Sequence, residues 1–340
     1  MKKNCPLRRG DDSGMPVSVD VMCTVYNHGK YLAQALDSIL MQETDFPVRI
    51  VIHDDASTDD SAEIIRAYQA KHPDRIVAVI EEENLYQNGE SIGLKMVPYY
   101  TAKYIAVCEG DDFWTDPHKL QTQVDYLERN PDCMALYHNI LPVDGNGQYD
   151  ESLRGIYPEL PEGDYTDREI REFKMKTQTA SLVFRNYYLW LDDAQKERLL
   201  TAKLNGDIRK LIVCGALGRV HYLPDVMTAH RRVADTGDSW TARQARKSEL
   251  DRFAGNQKTY LELCRFYEYC YGTARYPYND MLDARVSFFR NTRTDKRDPE
   301  VKEKLREIPI PLGARLAYAP RFLRRTAKFA WKKLRRRAGA

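Results

Sequence analysis

The sequence predicts an α/β protein with a mostly parallel sheet that is covered by helices on both faces. Two observations indicate this class. Short runs rich in β-branched residues alternate with helical stretches over residues 17–130, which is the rhythm of βαβ units. Acidic residues also follow two of these predicted strands directly, and the carboxyl edge of such a sheet is where ligands bind.

The predicted elements of this first part follow one another without long interruptions. In the helix after the first strand, Leu32, Leu36, Ile39 and Leu40 recur at helical spacing and define one buried face. Asp59, Asp60 and Ser61 are suited to start the second helix. The predicted strands lie at 17–25, 48–55, 75–84 and 104–112, and the helices start near residues 30 and 61 and, for a third and partly helical stretch, near residue 91.

The alternation weakens farther along the chain. A helix at 118–129 leads to a strand near 133–144, and residues 145–176 are rich in Gly, Pro, Tyr and charge, which indicates an excursion from the sheet. A strand at 179–186 and a helix from about Asn205 follow, and residues 241–307 are expected to be largely helical. The predicted domains are a loose leader at 1–15, the α/β domain at 16–235, a helical extension at 236–310 and a basic amphipathic segment at 311–340.

Composition indicates a globular protein, because 43% of its 340 residues are hydrophobic. No run approaches the roughly 20 consecutive apolar residues of a membrane-spanning helix, and the first residues have no apolar stretch typical of a secretion signal. We therefore expect a cytoplasmic protein. Its seven cysteines lack close C-x-x-C pairing, so we interpret them as reduced packing residues.

Charge is unevenly distributed. Residues 321–340, called here the basic segment, carry nine Lys or Arg and no acidic residue, whereas the rest of the chain is acidic. Apolar residues are interleaved with these cations: Phe322, Leu323, Phe329, Trp331 and Leu334. This pattern favours contact with an anionic membrane surface, which would make the protein peripheral on the inner face of the cell membrane. A solvated segment is the second interpretation, and nucleic-acid contact is the least favoured.

Two acidic clusters come after predicted strands. Asp54 and Asp55 follow one strand, and Glu109, Asp111 and Asp112 follow another. Carboxylates gathered at one edge repel one another unless a cation or hydrogen-bond donor lies between them. Oxygen ligands suit Mg²⁺ or Mn²⁺, with a diphosphate supplying further ligands. The alternative is that these acids cap helices or form solvated turns.

Three ordered motifs resemble family 2 glycosyltransferases of the GT-A fold. They are CTVYNHGKYLAQALDSILMQ, VIHDDASTDDSAEII and YIAVCEGDDFWTDPHKLQTQVDYL, and together they cover about residues 17–130. The resemblance implies that Thr24 and Tyr26 contact the nucleotide base. It also implies that Asp55, beside Asp54 in the same motif, accepts a hydrogen bond from the base edge.

The same resemblance implies roles at the catalytic centre. Asp111 would hold the ribose, and Asp112 would hold the Mn²⁺ or Mg²⁺ that bridges the diphosphate. Lys95 is a weaker candidate for a phosphate contact, with a solvated lysine as the alternative. Asp207, in LNGDIRKLI, is similar to the acid that acts as general base in the family; the alternative is an ordinary helix N-cap.

One segment departs from the family pattern. Family members often carry Y-R-x-H, whereas this chain has DVMTAHRRVADTGDSW with His230 where Tyr is usual. His230 is therefore a doubtful metal ligand and a structural histidine is at least as consistent, while Arg231 or Arg232 could pair with phosphate.

The sequence thus predicts a metal-dependent glycosyltransferase. It would move a sugar, with inversion, from a nucleotide-sugar, with UDP favoured, to a hydroxyl of a saccharide or lipid-linked saccharide in cell-surface polysaccharide or glycolipid synthesis. Two alternatives stay open. One is a sugar-1-phosphate nucleotidyltransferase, disfavoured because the segment directly after the first strand, YNHGKYL, offers only Gly29 where such enzymes have a Gly-rich phosphate loop; the other is a non-catalytic nucleotide- or glycan-binding protein.

Overall fold

The computed structural model describes residues 5–153, 157, 159–171, 177–232, 248–272, 275–292, 294–295, 297–306 and 308–324. The chain divides into two compact units with their boundary near residue 236. The first unit contains the sheet, and the second is helical over its described residues.

The first unit is built on a nine-stranded mixed sheet with the order β3-β2-β1-β4-β8-β6-β9-β5, with β7 paired to β9. Its strands are β1 (Val19–Val25), β2 (Val48–Asp54), β3 (Ile76–Ile80), β4 (Tyr104–Val107), β5 (Phe113–Trp114), β6 (Cys133–Val143), β7 (Gly163–Asp164), β8 (Val183–Arg185) and β9 (Arg219–Arg231).

The helices of this unit are α1 (Gly29–Leu40), α2 (Ser61–Lys71), α3 (Leu85–Asn88), α4 (Ile92–Met96), α5 (Lys119–Arg129), α6 (Asp167–Arg171), α7 (Asp193–Leu200) and α8 (Gly206–Leu217). The α/β class predicted from the sequence is confirmed.

The parallel half of the sheet, β3-β2-β1-β4, brings the carboxyl ends of its strands to one edge. Val25 pairs with Asp54, and Asp54 pairs with Ile80. On the other side of β1, the N–H of Gly110 donates to the carbonyl of Thr24 at 3.0 Å. From β1 the chain runs outward through β2 and β3 on one side and then returns to β4 on the other side of β1. The order of strands therefore reverses between β1 and β4, where open α/β sheets bind ligands.

The remaining sheet is mixed, and three of its strands, β5, β7 and β9, were not predicted. Strand β8 is antiparallel to both β4 and β6, while β6 and β9 are parallel with register shifts. The predicted strand at 179–186 is shortened to β8, because residues Thr179–Ser181 form a 3₁₀ turn. Strand β9 was missed, since its exposed stretch at 224–226 interrupts the alternation that marks a strand.

The core of the first unit lies between the sheet and α1, α2 and α5. The predicted face of α1 is confirmed, because Leu32, Leu36 and Ile39 are fully buried and Leu40 packs against the same cluster. All seven cysteines are buried free thiols, which agrees with their interpretation as packing residues.

The prediction of a loose leader at 1–15 is wrong for its described part. Cys5 and Leu7 are buried, and the buried Asp12 forms an ion pair of 2.8 Å with Arg185 on β8. An uncompensated Arg185 guanidinium would be costly at that depth, so Asp12 contributes the counter-charge, and residues 5–15 belong to the first unit.

The second unit contains α9 (Glu249–Tyr271), α10 (Arg275–Thr292), α11 (Pro299–Arg306) and a helical segment at 312–324. Its small core includes Leu261, Cys264, Met281 and Ile308. Across the described parts of both units, none of the helices combines the length and the hydropathy needed to cross a bilayer.

Candidate active site

The loops after β1 and β2 are joined by hydrogen bonds at the edge of the sheet. Asn27 and Ala56 both have positive φ, of 55° and 56°, a conformation that costs free energy in residues other than glycine. The Oδ1 atom of Asn27 accepts from the N–H of Thr58 at 2.7 Å, and the N–H of Asn27 donates to Ser57 Oγ at 2.9 Å. These bonds hold the two loops in one arrangement.

Asp54 and Asp55 are both buried and hydrogen-bonded. Asp54 accepts from the N–H and the hydroxyl of Ser57, within its own loop. Asp55, which is 4% exposed, accepts from the N–H groups of Leu85 and Tyr86 at 2.8 and 3.2 Å. The Asp55 carboxylate therefore holds the start of α3 against the end of β2.

The residues predicted to contact a base and a phosphate flank this loop pair. Tyr26 is exposed, and its hydroxyl accepts from Gln87 Nε2 at 3.4 Å. Thr24, the penultimate residue of β1, is half-buried. The half-exposed Lys95, on α4, forms an ion pair of 3.2 Å with Glu81. Tyr26, Asp55 and Glu81 thus follow three neighbouring strands at the same level of the edge.

Gly110 allows the loop after β4 to approach β1 and α1. A Cβ at this position would lie 2.9 Å from both His28 Nδ1 and Val25 Cγ2, which is closer than real Cβ contacts. Only glycine fits at this position, and the close approach that it allows places its neighbours Glu109 and Asp111 beside the end of β1.

Asp111 points toward α1. Its Oδ2 atom is 3.9 Å from His28 Nε2 at the start of that helix. Burial and the nearby charge of Asp112 raise the pKa of Asp111, and His28 acts against them. Its carboxylate is partly exposed, so it can be reached by a ligand.

Asp112 is held by the end of β9. It is 2% exposed, accepts from the N–H of Arg231 at 2.8 Å, and has both oxygens 3.1 Å from His230 Nδ1. Burial lowers the pKa of His230, but the hydrogen bond and the charge of Asp112 outweigh burial, so the net shift is upward. His230, which lies in the segment that differs from the family pattern, therefore contacts Asp112, the residue predicted to bind the metal.

The side chain of Arg231 also holds the loop that carries Asp111 and Asp112. Its guanidinium donates to the Asp111 carbonyl at 2.9 Å and to Gln34 Oε1 at 2.7 Å. It also stacks over the rings of Tyr31 and Phe113, 4.5 and 5.3 Å from their centroids. Because this side chain is buried and already bonded, the exposed Arg232 is the better placed of the two for a phosphate.

Asp207 lies in the first turn of α8, and Asn205 occupies the N-cap position. Asp207 is therefore not the N-cap residue of α8, so that alternative is wrong. Asp207 acts electrostatically on Glu109: burial, then the charges of Asp207 and Asp111, raise the pKa of Glu109 well above its usual range. Lys210, one turn along α8, is affected by both carboxylates, although burial gives it a lowered pKa.

A cavity of about 520 Å³ opens next to these elements. It is lined by Tyr86 at the start of α3, by Ser91 before α4, and by residues 200–205 before α8, with Arg209. Its walls therefore include both the helix that Asp55 holds and the loop that leads to Asp207. A volume of this size suits a sugar or nucleotide fragment.

The donor set at Asp112 fits a divalent ion whose other ligands come from a substrate. Among the described residues, no three His, Cys, Asp or Glu side chains are arranged to enclose a metal. Mg²⁺ is commonly bound by one or two carboxylates together with substrate phosphates, without a cage made only of protein ligands. Asp112 and His230 offer one carboxylate and one imidazole side by side, with Asp112 buried and His230 partly exposed.

The sequence missed three relationships in this site. Glu109 was recognised as acidic but not as a neighbour of Asp207; His28 was not connected with Asp111; and His230 was not connected with Asp112. Of these three relationships, only that between His230 and Asp112 was indicated in the sequence. The alternation in VHYL and VMTAH could have predicted β9, the strand that carries His230.

The fold and the acidic edge define an α/β protein with a candidate ligand site at the point where strand order reverses, and comparison identifies its family. The chain belongs to glycosyl transferase family 2, whose family model matches residues 20–189. The GT-A fold is confirmed by similarity to Staphylococcus aureus TarS 1–349 in complex with UDP-GlcNAc. That structure aligns with a TM-score of 0.56 and 15% identity over 86% of this chain and 82% of TarS 1–349.

Curated relatives are similar over a shorter region. An uncharacterized protein of Mycobacterium tuberculosis is 35% identical over 40% of this chain and 38% of its own length. An uncharacterized glycosyltransferase of Nostoc sp. is 30% identical over 43% of this chain and 44% of its own length. The matched region is thus less than half of either relative.

Proposed function

We propose that this protein transfers a sugar from a UDP-sugar to a hydroxyl group of a saccharide or lipid-linked saccharide, with inversion at the anomeric carbon. The observation that carries the proposal is the convergence of Asp111, Asp112 and His230 at the point where strand order reverses. Family membership and the UDP-GlcNAc complex of TarS support a nucleotide-sugar donor.

The donor would lie across the carboxyl ends of β1, β2 and β4. In this arrangement Tyr26 supplies an exposed aromatic surface for the base, and Thr24 lies beside it. Asp55 orders α3, whose Tyr86 lines the cavity, and it keeps acceptor capacity for a base N–H. The exposed Lys95 and Arg232 would contact the diphosphate.

Asp112 and His230 would hold Mn²⁺ or Mg²⁺ against that diphosphate. A bound divalent ion supplies Lewis-acid stabilisation of the negative charge on the departing nucleoside diphosphate. Arg231 would keep the two acidic residues in position. Its N–H donates to the Asp112 carboxylate, and its guanidinium donates to the Asp111 carbonyl.

Asp207 would act as the general base. It lies in the first turn of α8, beside the loop that lines the cavity, and acts electrostatically on Glu109. A base must reach the acceptor hydroxyl as its oxygen attacks the anomeric carbon. The hydroxyl proton would pass to the Asp207 carboxylate, the new glycosidic bond would form, and the bond to the diphosphate would break.

A non-catalytic nucleotide-binding role is the second candidate, favoured by the hydrogen bonds that already occupy Asp112.

Titration calorimetry with UDP in Mn²⁺ and in EDTA tests the proposed donor site. We expect much tighter binding with Mn²⁺, a difference that Asp112→Ala abolishes and that the exposed control Asp125→Ala keeps. Equal affinity in both conditions would remove the metal-bridged site.

Turnover is tested separately. Nucleotide-sugars that raise the melting temperature with Mn²⁺ are incubated with saccharide and lipid-linked acceptors, and released UDP is measured. Donor binding without UDP release by any acceptor would favour the non-catalytic role.

A further inference from the structure

The helical segment at 312–324 has a narrow apolar stripe on its solvent side. Leu312, Leu316 and Leu323 are 71%, 66% and 66% exposed. At about 100° per residue, these positions lie within roughly 40° of one another around the helix axis. We call these three residues the leucine stripe. Three large side chains aligned in water on one helix face are a feature that usually marks a binding surface.

The opposite side of the same helix attaches it to the second unit. Tyr318 is buried and donates its hydroxyl to Asp283 on α10. Arg321 is 2.7 Å from Asp283 and 3.6 Å from Asp280. These anchors lie roughly 120–180° around the helix axis from the leucine stripe, so the stripe is not the face through which the helix contacts α10.

Positive charge accompanies the stripe. Arg315 and Arg324 are exposed on the helix. The basic segment carries nine Lys or Arg and no acidic residue in its sequence, although its residues 325–340 lie outside the described part of the chain. The exposed Phe322 adds an aromatic ring near the end of the stripe. Apolar side chains flanked by cations match the two layers of an anionic bilayer surface, where acyl chains lie beneath phosphate groups.

We propose that the leucine stripe and the basic segment together dock this protein on an anionic lipid bilayer. The leucines enter the boundary between headgroups and acyl chains, and the cations bind the phosphate layer. One stripe of three leucines is too narrow for a stable interface with a second copy, which needs about 1,000 Å² or more. This inference is independent of the proposed transferase activity, because docking requires neither donor nor acceptor.

The experiment uses the full chain and sedimentation with vesicles. The vesicles are phosphatidylcholine alone or phosphatidylcholine with phosphatidylglycerol. We expect binding to the anionic vesicles only, weakening as salt is raised. The double variant Leu316→Gln/Leu323→Gln should lower the partition coefficient by about tenfold or more, since each leucine contributes burial.

The matched control is Leu189→Gln, at a leucine of the first unit that is 44% exposed; it should bind as the wild type does. Circular dichroism of both variants checks that they are folded. Unchanged binding of the double variant, with salt still abolishing it, would mean that charge alone attracts the protein, and the stripe would have no docking role. A double variant that dissociates a dimer but binds vesicles normally would reassign the stripe to self-association and overturn the inference.

Discussion

The Nδ1 atom of His230 lies 3.1 Å from both carboxylate oxygens of Asp112. The contact joins the loop after β4 to the end of β9, more than a hundred residues later in the chain. The contact is an ion pair when the imidazole is protonated, whereas in the donor site proposed above the two side chains would be adjacent metal ligands, which requires a neutral imidazole. Each possibility predicts a different response to substitution.

His230→Ala should weaken Mn²⁺-dependent UDP binding by about tenfold or more, the size of loss seen when a group that orients a metal ligand is removed. The measurement is a Mn²⁺ titration at fixed UDP concentration, compared with the exposed control His118→Ala. If Mn²⁺ dependence is unchanged while the unfolding midpoint falls, His230 is a structural partner of Asp112 only.

Asp207→Asn should slow sugar transfer by about 10²-fold or more, because the amide cannot accept the acceptor proton, and should leave UDP binding nearly intact. The assay compares UDP release with UDP affinity. Asp193→Asn is a suitable control, since Asp193 occupies the first turn of α7 and is exposed. Normal transfer by Asp207→Asn would assign the base role to another group.

Asp55→Ala should destabilise the protein by about 2–3 kcal/mol, because the N–H groups of Leu85 and Tyr86 lose their buried acceptor. Loss of order in α3 should also weaken UDP binding. Urea unfolding and calorimetry are the measurements, with Asp45→Ala, an exposed position, as reference. Wild-type stability in Asp55→Ala would show that α3 is held by other contacts.

Glu109 should make the free energy of unfolding depend on pH. Because its pKa is raised in the folded protein, first by burial and then by neighbouring carboxylates, the folded state holds a proton that the unfolded state releases. Stability should therefore decline as pH rises above the ordinary glutamate pKa toward the raised one. Urea midpoints measured from pH 4.5 to 8 should show a shallower decline in Glu109→Gln than in the wild type, while the exposed control Glu82→Gln keeps the wild-type slope.

Much of the first unit could be predicted from local pattern. The strands β1, β2, β3 and β4 and the helices α1 and α2 lie close to their predicted positions, because parallel strands buried on both faces appear as apolar runs. Asp55, Asp111 and Asp112 could be placed at one edge for the same reason. The hydrogen bonds that occupy these acids could not be predicted, since their donors, such as the N–H of Arg231, are distant in sequence.

The sequence by itself determined the βαβ order, the acidic edge and the family, since these depend on side-chain periodicity and on residues only a few positions apart. Only the tertiary structure decided that Asp12 pairs with Arg185, that β9 brings His230 to Asp112, and that α8 carries Asp207 toward Glu109. The physical reason is that buried charge must find its partner in space. No local pattern records which distant residue will supply it.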